Sequence, residues 1–188
     1  MPRTQPTSSP RASATRKPFR VLLVVSRYNA TVMDRLQEGA IKTFAASATT
    51  LDELEIVPAP GAFEIPALAL AGARSGRFDG VVALGCIIKG DTIHDRVLAD
   101  AVTQALVQVT LLTGIPVTLG VLTVNTPKQA LDRAGGKLGN GPNNKGSEAM
   151  SALLDTFNSL RLIEHPGAQI PPTSKRPDKL AASTRSRA

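Results

Sequence analysis

Residues 80–88, Gly-Val-Val-Ala-Leu-Gly-Cys-Ile-Ile, form a run without a single polar side chain. A run that continuous, rich in Val and Ile, is a strand buried on both faces, and such strands belong in parallel sheets covered by helices. It leads at once into Lys89-Gly-Asp-Thr-Ile-His94, where cationic, carboxylate, hydroxyl and imidazole groups follow in quick succession. Parallel α/β sheets bind ligands just beyond the carboxyl ends of their strands, so Lys89, Asp91, Thr92 and His94 mark an expected site. His94 is one of two histidines, with His165. Imidazole ordinarily exchanges protons near neutrality, which suits His94 to proton transfer.

The rest of the chain alternates in the same manner. Residues 20–25 (RVLLVV) are a β-branched run long enough for a buried strand, and residues 31–44 place Val32, Leu36, Gly39, Ala40 and Phe44 near one helical face. Residues 54–57 predict a short strand stopped by Pro58 and Pro60. A helix over 64–73 follows, with Ile65, Leu68, Ala69 and Gly72 on its stripe and Pro66 accommodated in its first turn. After the strand 80–88, residues 93–112 read as a long amphipathic helix closed by Gly114 and Pro116, and 117–124 (VTLGVLTV) as the last strand. Thr126 caps a helix that opens on Pro127, and a final helix spans 145–162. Four strands separated by helices predict a four-stranded parallel sheet in a three-layer α/β/α sandwich, with functional groups gathered at 26–29, 59–64, 89–94 and 123–126.

Composition narrows the function. With 188 residues and 42% hydrophobic side chains the chain is long enough for one domain with a substantial core. Its formal charge of +7 is carried by its ends. Residues 1–18 and 166–188 each carry a net +4, which leaves −1 for residues 19–165. Both ends are rich in Pro, Ser and Thr, so they read as disordered basic extensions, and nucleic-acid binding is not the expected main function. Aromatics at 3% and the absence of Trp leave few platforms for base stacking. The Arg- and Ser-rich start has the composition of an organelle transit peptide but lacks an apolar helical face. Cys86 is the only cysteine, which excludes an intrachain disulfide and fits a reducing, cytoplasmic compartment. No apolar run approaches the ~20 residues that cross a bilayer, so no membrane association is expected.

Taken one at a time, the segments leave alternatives open. Tyr28, the only tyrosine, follows the first strand, where its ring could stack on a heterocycle or simply close the core edge. Glu64 at a helix start could take hydrogen bonds from a polyhydroxylated ligand or merely complement the helix dipole. Lys89-Gly-Asp-Thr92 offers an anion site at a helix N-terminus, or an ordinary cap by Asp91 or Thr92. Arg133 could hold phosphate bidentately, whereas Lys137 reads as a solvated surface residue. No His, Cys or carboxylate spacing suits a metal, and neither GxGxxG nor GxxxxGK[ST] occurs, so no metal or nucleotide cofactor is expected.

In order, Arg27-Tyr-Asn29, Pro60-Gly-Ala-Phe-Glu-Ile-Pro66, Gly85-Cys-Ile-Ile-Lys-Gly-Asp-Thr-Ile-His94, Gly120-Val-Leu-Thr-Val124, and Gln129-Ala-Leu-Asp-Arg-Ala-Gly135 with Asn144-Lys-Gly146 resemble the lumazine synthase family over roughly residues 19–162. The resemblance implies a flavodoxin-like fold, a homopentamer with active sites between neighbours, and an enzyme of riboflavin biosynthesis. That enzyme joins 5-amino-6-ribitylamino-2,4-pyrimidinedione to 3,4-dihydroxy-2-butanone 4-phosphate. It assigns Tyr28 to stacking on the pyrimidinedione, Ala62, Phe63 and Glu64 to the ribityl chain and ring, and Cys86, Ile87 and Ile88 to the pyrimidine pocket. Asp91 and Thr92, with Arg133 of an adjacent subunit, fall on phosphate-binding positions and His94 on the proton-transfer position. Riboflavin synthase is implied as a candidate partner.

The chain departs from the family pattern at three places. Leu119 stands where the family commonly has an aromatic residue against the heterocycle. Asp95-Arg-Val-Leu98 replaces an aromatic-acidic-aromatic run, and Gly139-Asn-Gly-Pro-Asn-Asn-Lys-Gly146 is longer than the usual turn. Such longer turns accompany free pentamers rather than sixty-subunit shells, so a pentamer is expected. A non-catalytic pentameric binding or scaffold protein is the rival reading, against which Glu64, Thr92, His94 and Arg133 stand together. A second rival is an active enzyme whose basic ends also carry cargo or nucleic acid.

Overall fold

The computed structural model describes residues 18–47, 52–136 and 141–164. Residues 1–17 and 166–188 of the basic extensions, His165, Lys137 and the 139–140 part of the lengthened turn lie outside the described residues. Four strands, β1 (Arg20–Ser26), β2 (Glu53–Ala59), β3 (Gly80–Ile88) and β4 (Val117–Val124), pair in parallel in the order β2-β1-β3-β4. The helices are α1 (Ala30–Ser47), α2 (Ile65–Arg74), α3 (His94–Thr113), α4 (Pro127–Arg133) and α5 (Lys145–Glu164).

The hydrophobic patterning accounts for the layers. Alternate residues of β1, Val21, Leu23 and Val25, pack with Met33, Leu36, Phe44, Met150 and Leu153 under α1 and α5. The residues between them, Leu22 and Val24, pack with Ile65, Ala69, Val102 and Leu106 under α2 and α3. Helices on both faces of the sheet make the three-layer α/β/α sandwich, in a flavodoxin-like arrangement. All of β3 except Ile88 is buried, as its unbroken apolar run requires. Because the chain passes from β2 on one side of β1 to β3 on the other, the strand order reverses between β1 and β3, and that crevice is where doubly wound sheets hold ligands.

Two expectations change. β2 runs through Pro58 to Ala59 instead of stopping at Val57, with Pro58 opposite Val25. It is an edge strand, where a residue without an N–H is tolerated because no further strand needs that donor. Glu64 and Ile93 fall just outside α2 and α3 as their N-caps rather than inside them. The other helices and β1 extend one to three residues past the predicted ends, the usual fraying range of such boundaries.

The Asn144-Lys-Gly146 motif joins two helices. The Asn144 side chain is buried, donates to the Arg35 carbonyl at 2.9 Å, and accepts from the Gly146 and Ser147 amides at 2.9 and 3.1 Å, capping α5 against α1. Cβ atoms on Gly39 and Gly146 would collide with the Asn144 side chain and the Leu36 carbonyl oxygen respectively, so both glycines are there for close approach.

Candidate active site

A cleft of about 580 Å³ opens at the carboxyl ends of β1 and β3. From β1, the chain turns through Tyr28 and Asn29. The Arg27 amide donates to the Ala59 carbonyl at 2.9 Å, which stitches the ends of β1 and β2 together. Asn29 adopts a left-handed conformation with φ +61°, one that asparagine tolerates better than most side chains. Its carbonyl accepts from the Val32 and Met33 amides at 2.9 and 3.1 Å and so starts α1, while its Nδ2 donates to the Cys86 carbonyl at 3.1 Å. Tyr28, 72% exposed, is thereby held on the rim.

The loop after β2 forms the facing wall, with Ala62 buried and Phe63 70% exposed. A Cβ on Gly61 would lie 3.1 Å from Glu64 Oε2 and 3.9 Å from the Tyr28 ring, which places the Glu64 carboxylate over Gly61 beside the tyrosine. Glu64 is the N-cap of α2 but makes no side-chain capping bond, so its carboxylate remains available to the cleft.

Cys86, Ile87 and Ile88 form the floor. Burial pushes the Cys86 thiol up from 9.0 to about 11, which keeps it protonated and makes it a packing group rather than a nucleophile. Beyond the floor the Lys89 amide donates to the Val124 carbonyl at 2.8 Å, and Gly90 and Thr92 carry the wall to α3. Thr92 Oγ1 accepts from the His94 amide at 3.3 Å, so Thr92 organises the helix start and lines the cleft as well. His94, Asp95 and Leu98 complete the wall from the first turns of α3.

The cleft brings together Tyr28, Ala62, Phe63, Glu64, the Cys86–Ile88 floor, Thr92 and His94, but not Asp91, Leu119 or Arg133. Leu119 sits in the middle of the edge strand β4 opposite Ala83, half exposed and away from the strand ends. Arg133 ends α4, where its Nη1 donates to the Gln129 carbonyl at 3.4 Å. Residues 123–126 also stay out of the cleft. Thr126 is engaged in capping α4, with its Oγ1 accepting from the Gln129 amide at 3.2 Å while Gln129 Oε1 accepts from the Asn125 amide at 2.8 Å. Among the described residues no lysine or arginine lines the cleft, whose ionisable groups include Glu64, His94 and Asp95.

Residues 18–161 match the family model of 6,7-dimethyl-8-ribityllumazine synthase. The chain belongs to that family. It is similar to the lumazine synthase of Deinococcus deserti, 43% identical over 141 residues that cover 75% of this chain and 88% of that protein. Against the one from Deinococcus radiodurans it is 43% identical over 142 residues, 76% of this chain and 89% of the relative.

The cleft also holds Asn29, Gly61 and Gly90, which lie in the expected segments but were given no role of their own, and Asp95 and Leu98, which were marked only as a departure from the family pattern. Asn29 was signalled by its place after a strand, where a left-handed residue starts a helix, and Leu98 by lying one helical turn from His94.

Proposed function

We propose that the cleft condenses 5-amino-6-(D-ribitylamino)uracil with 3,4-dihydroxy-2-butanone 4-phosphate, giving 6,7-dimethyl-8-ribityllumazine, phosphate and two waters. The observation that carries this reading is the meeting of an exposed aromatic pair, Tyr28 and Phe63, with Glu64, Thr92 and His94 in one crevice at the strand-order reversal. Tyr28 stacks on the pyrimidinedione, Ala62, Phe63 and Glu64 take the ribityl chain and ring, and the Cys86–Ile88 floor holds the pyrimidine. The phosphate end lies at Asp91 and Thr92, at the opening of α3, where the helix dipole favours an anion.

The amine attacks the ketone and water leaves to give an imine. Loss of the proton on the neighbouring carbon then expels phosphate, and the resulting enol becomes a second ketone. Attack on it by the ribitylamino nitrogen closes the ring with loss of the second water. His94 carries protons in these steps. Holding both partners in register supplies much of the remaining acceleration.

Among the described residues of one chain no lysine or arginine lines the cleft to meet the phosphate, which supports a site completed by a neighbour. Arg133 of an adjacent subunit serves the phosphate and Leu119 takes the place of an aromatic residue near the heterocycle. Exposed apolar residues at the two ends of α3, Ile93 and Val97 at its start and Val107 and Leu111 near its end, offer the surface for such a neighbour. The assembly is a homopentamer rather than a sixty-subunit shell, built from residues 19–165 as one folded unit, with cytoplasmic location and riboflavin synthase as the candidate protein partner. No helix among the described residues is long and apolar enough to cross a membrane. Lumazine fluorescence appearing when purified protein is given both substrates, and absent when either is withheld, is the expected result; a folded protein that binds both without forming product would overturn the reading.

A further inference from the structure

Asp95 sits where the family pattern has an aromatic residue, and it lines the cleft from the first turn of α3 beside His94. It is half-buried, and among the described residues it has no hydrogen-bond or ion-pair partner. The helix dipole favours a carboxylate in that turn, but a half-buried acceptor facing a cavity is best satisfied by a donor from the ligand. Among the described residues no lysine or arginine lines the cleft, and the neighbour's Arg133 is given to the phosphate, so the donor left for Asp95 is a hydroxyl or an amine of the ligand. Glu64 stands on the opposite wall beside Tyr28, at the end given above to the ribityl chain. Asp95 shares its wall with Gly90 and Thr92, at the end given to the phosphate.

We propose that Asp95 is a specificity-determining residue that accepts a hydrogen bond from the C3 hydroxyl of the four-carbon sugar phosphate. This rests on the synthase reading. The hydroxyl is adjacent to both the ketone and the phosphate-bearing carbon, so a carboxylate fixing it also fixes the carbon whose proton is lost as phosphate leaves. A hydrogen bond to a charged acceptor is strong enough for its removal to change binding severalfold to tenfold or more.

Steady-state kinetics with each substrate varied in turn test it on the full chain. Asp95→Ala is expected to raise KM for the sugar phosphate about tenfold and Asp95→Asn, which keeps an uncharged acceptor, about threefold, with KM for the pyrimidine within about twofold. The substrate analogue 4-hydroxy-2-butanone 4-phosphate, which lacks the C3 hydroxyl, should inhibit wild type and Asp95→Asn alike. An Asp95→Asn enzyme with an unchanged sugar-phosphate KM, or a rise confined to the pyrimidine KM, would overturn the proposal. So would a loss of thermal stability in either variant without a KM change, which would mark Asp95 as a helix-dipole residue alone. Wild-type enzyme without turnover would fell the synthase reading itself, whereas normal turnover with an indifferent Asp95 fells only this inference.

Discussion

Asn29 joins the two strands that flank the cleft, because one residue supplies a left-handed turn, the first acceptor of α1 and a donor to the end of β3. Asn29→Ala should therefore cost about 1–2 kcal/mol in denaturant unfolding, and Asn29→Gly less, since glycine keeps the backbone and loses only the side-chain bond. At His94, replacement by Ala should lower kcat by about 10²-fold while leaving measurable turnover, because positioning of the substrates survives; rates indistinguishable from wild type would remove its assigned role. Cys86 gives a pH prediction. Its thiol is raised to about 11 from 9.0, so the folded state holds the proton more tightly than the unfolded one, and this contribution to stability is full below pH 9 and is lost as pH rises through about 11. Cys86→Ala should flatten the fall in stability over that window, and iodoacetamide should leave the folded thiol unmodified at pH 7. At this scale the place of Tyr28, Glu64 and His94 at the cleft was legible because each lies in the segment that follows a strand end. Asp95 was not, because a first-turn acid carries the same sequence signal whether it faces solvent or a cleft.

The elements were easiest to read where one pattern had no competitor. The β3 run admits no amphipathic helix, and the α1 stripe is buried as its spacing requires, at Val32, Leu36, Gly39, Ala40 and Phe44. Pro58 misled because its effect depends on whether a strand is central or at an edge, which only the pairing order decides. The junction of α1 with α5 carries its own prediction. Asn144→Ala leaves the Arg35 carbonyl and the α5 amides without their buried partner and should destabilise by about 2–3 kcal/mol. Gly146→Ala forces a methyl group into the Leu36 carbonyl and should lower the melting temperature as severely, with KM unchanged in whatever fraction folds.

For the whole molecule, two features of the single chain fit completion by a neighbour: exposed apolar residues at the ends of α3, and a cleft that no lysine or arginine lines among the described residues. The resemblance put Arg133 on an adjacent subunit, in keeping with its place away from the cleft of its own chain, but it gave Leu119 no such placement, since a linear pattern does not say which copy of the chain a residue serves. Val97→Lys at the start of α3 should shift the sedimenting species to smaller assemblies and reduce turnover in proportion. The central claim, lumazine formation at a site shared by adjacent subunits, is tested most directly by co-assembling His94→Ala with Arg133→Ala chains and measuring lumazine fluorescence. Each variant alone should be strongly impaired. In an equal mixture, the interfaces that pair an intact His94 with an intact Arg133 should restore about a quarter of wild-type activity. Mixed assemblies no more active than the two variants apart would contradict a shared site.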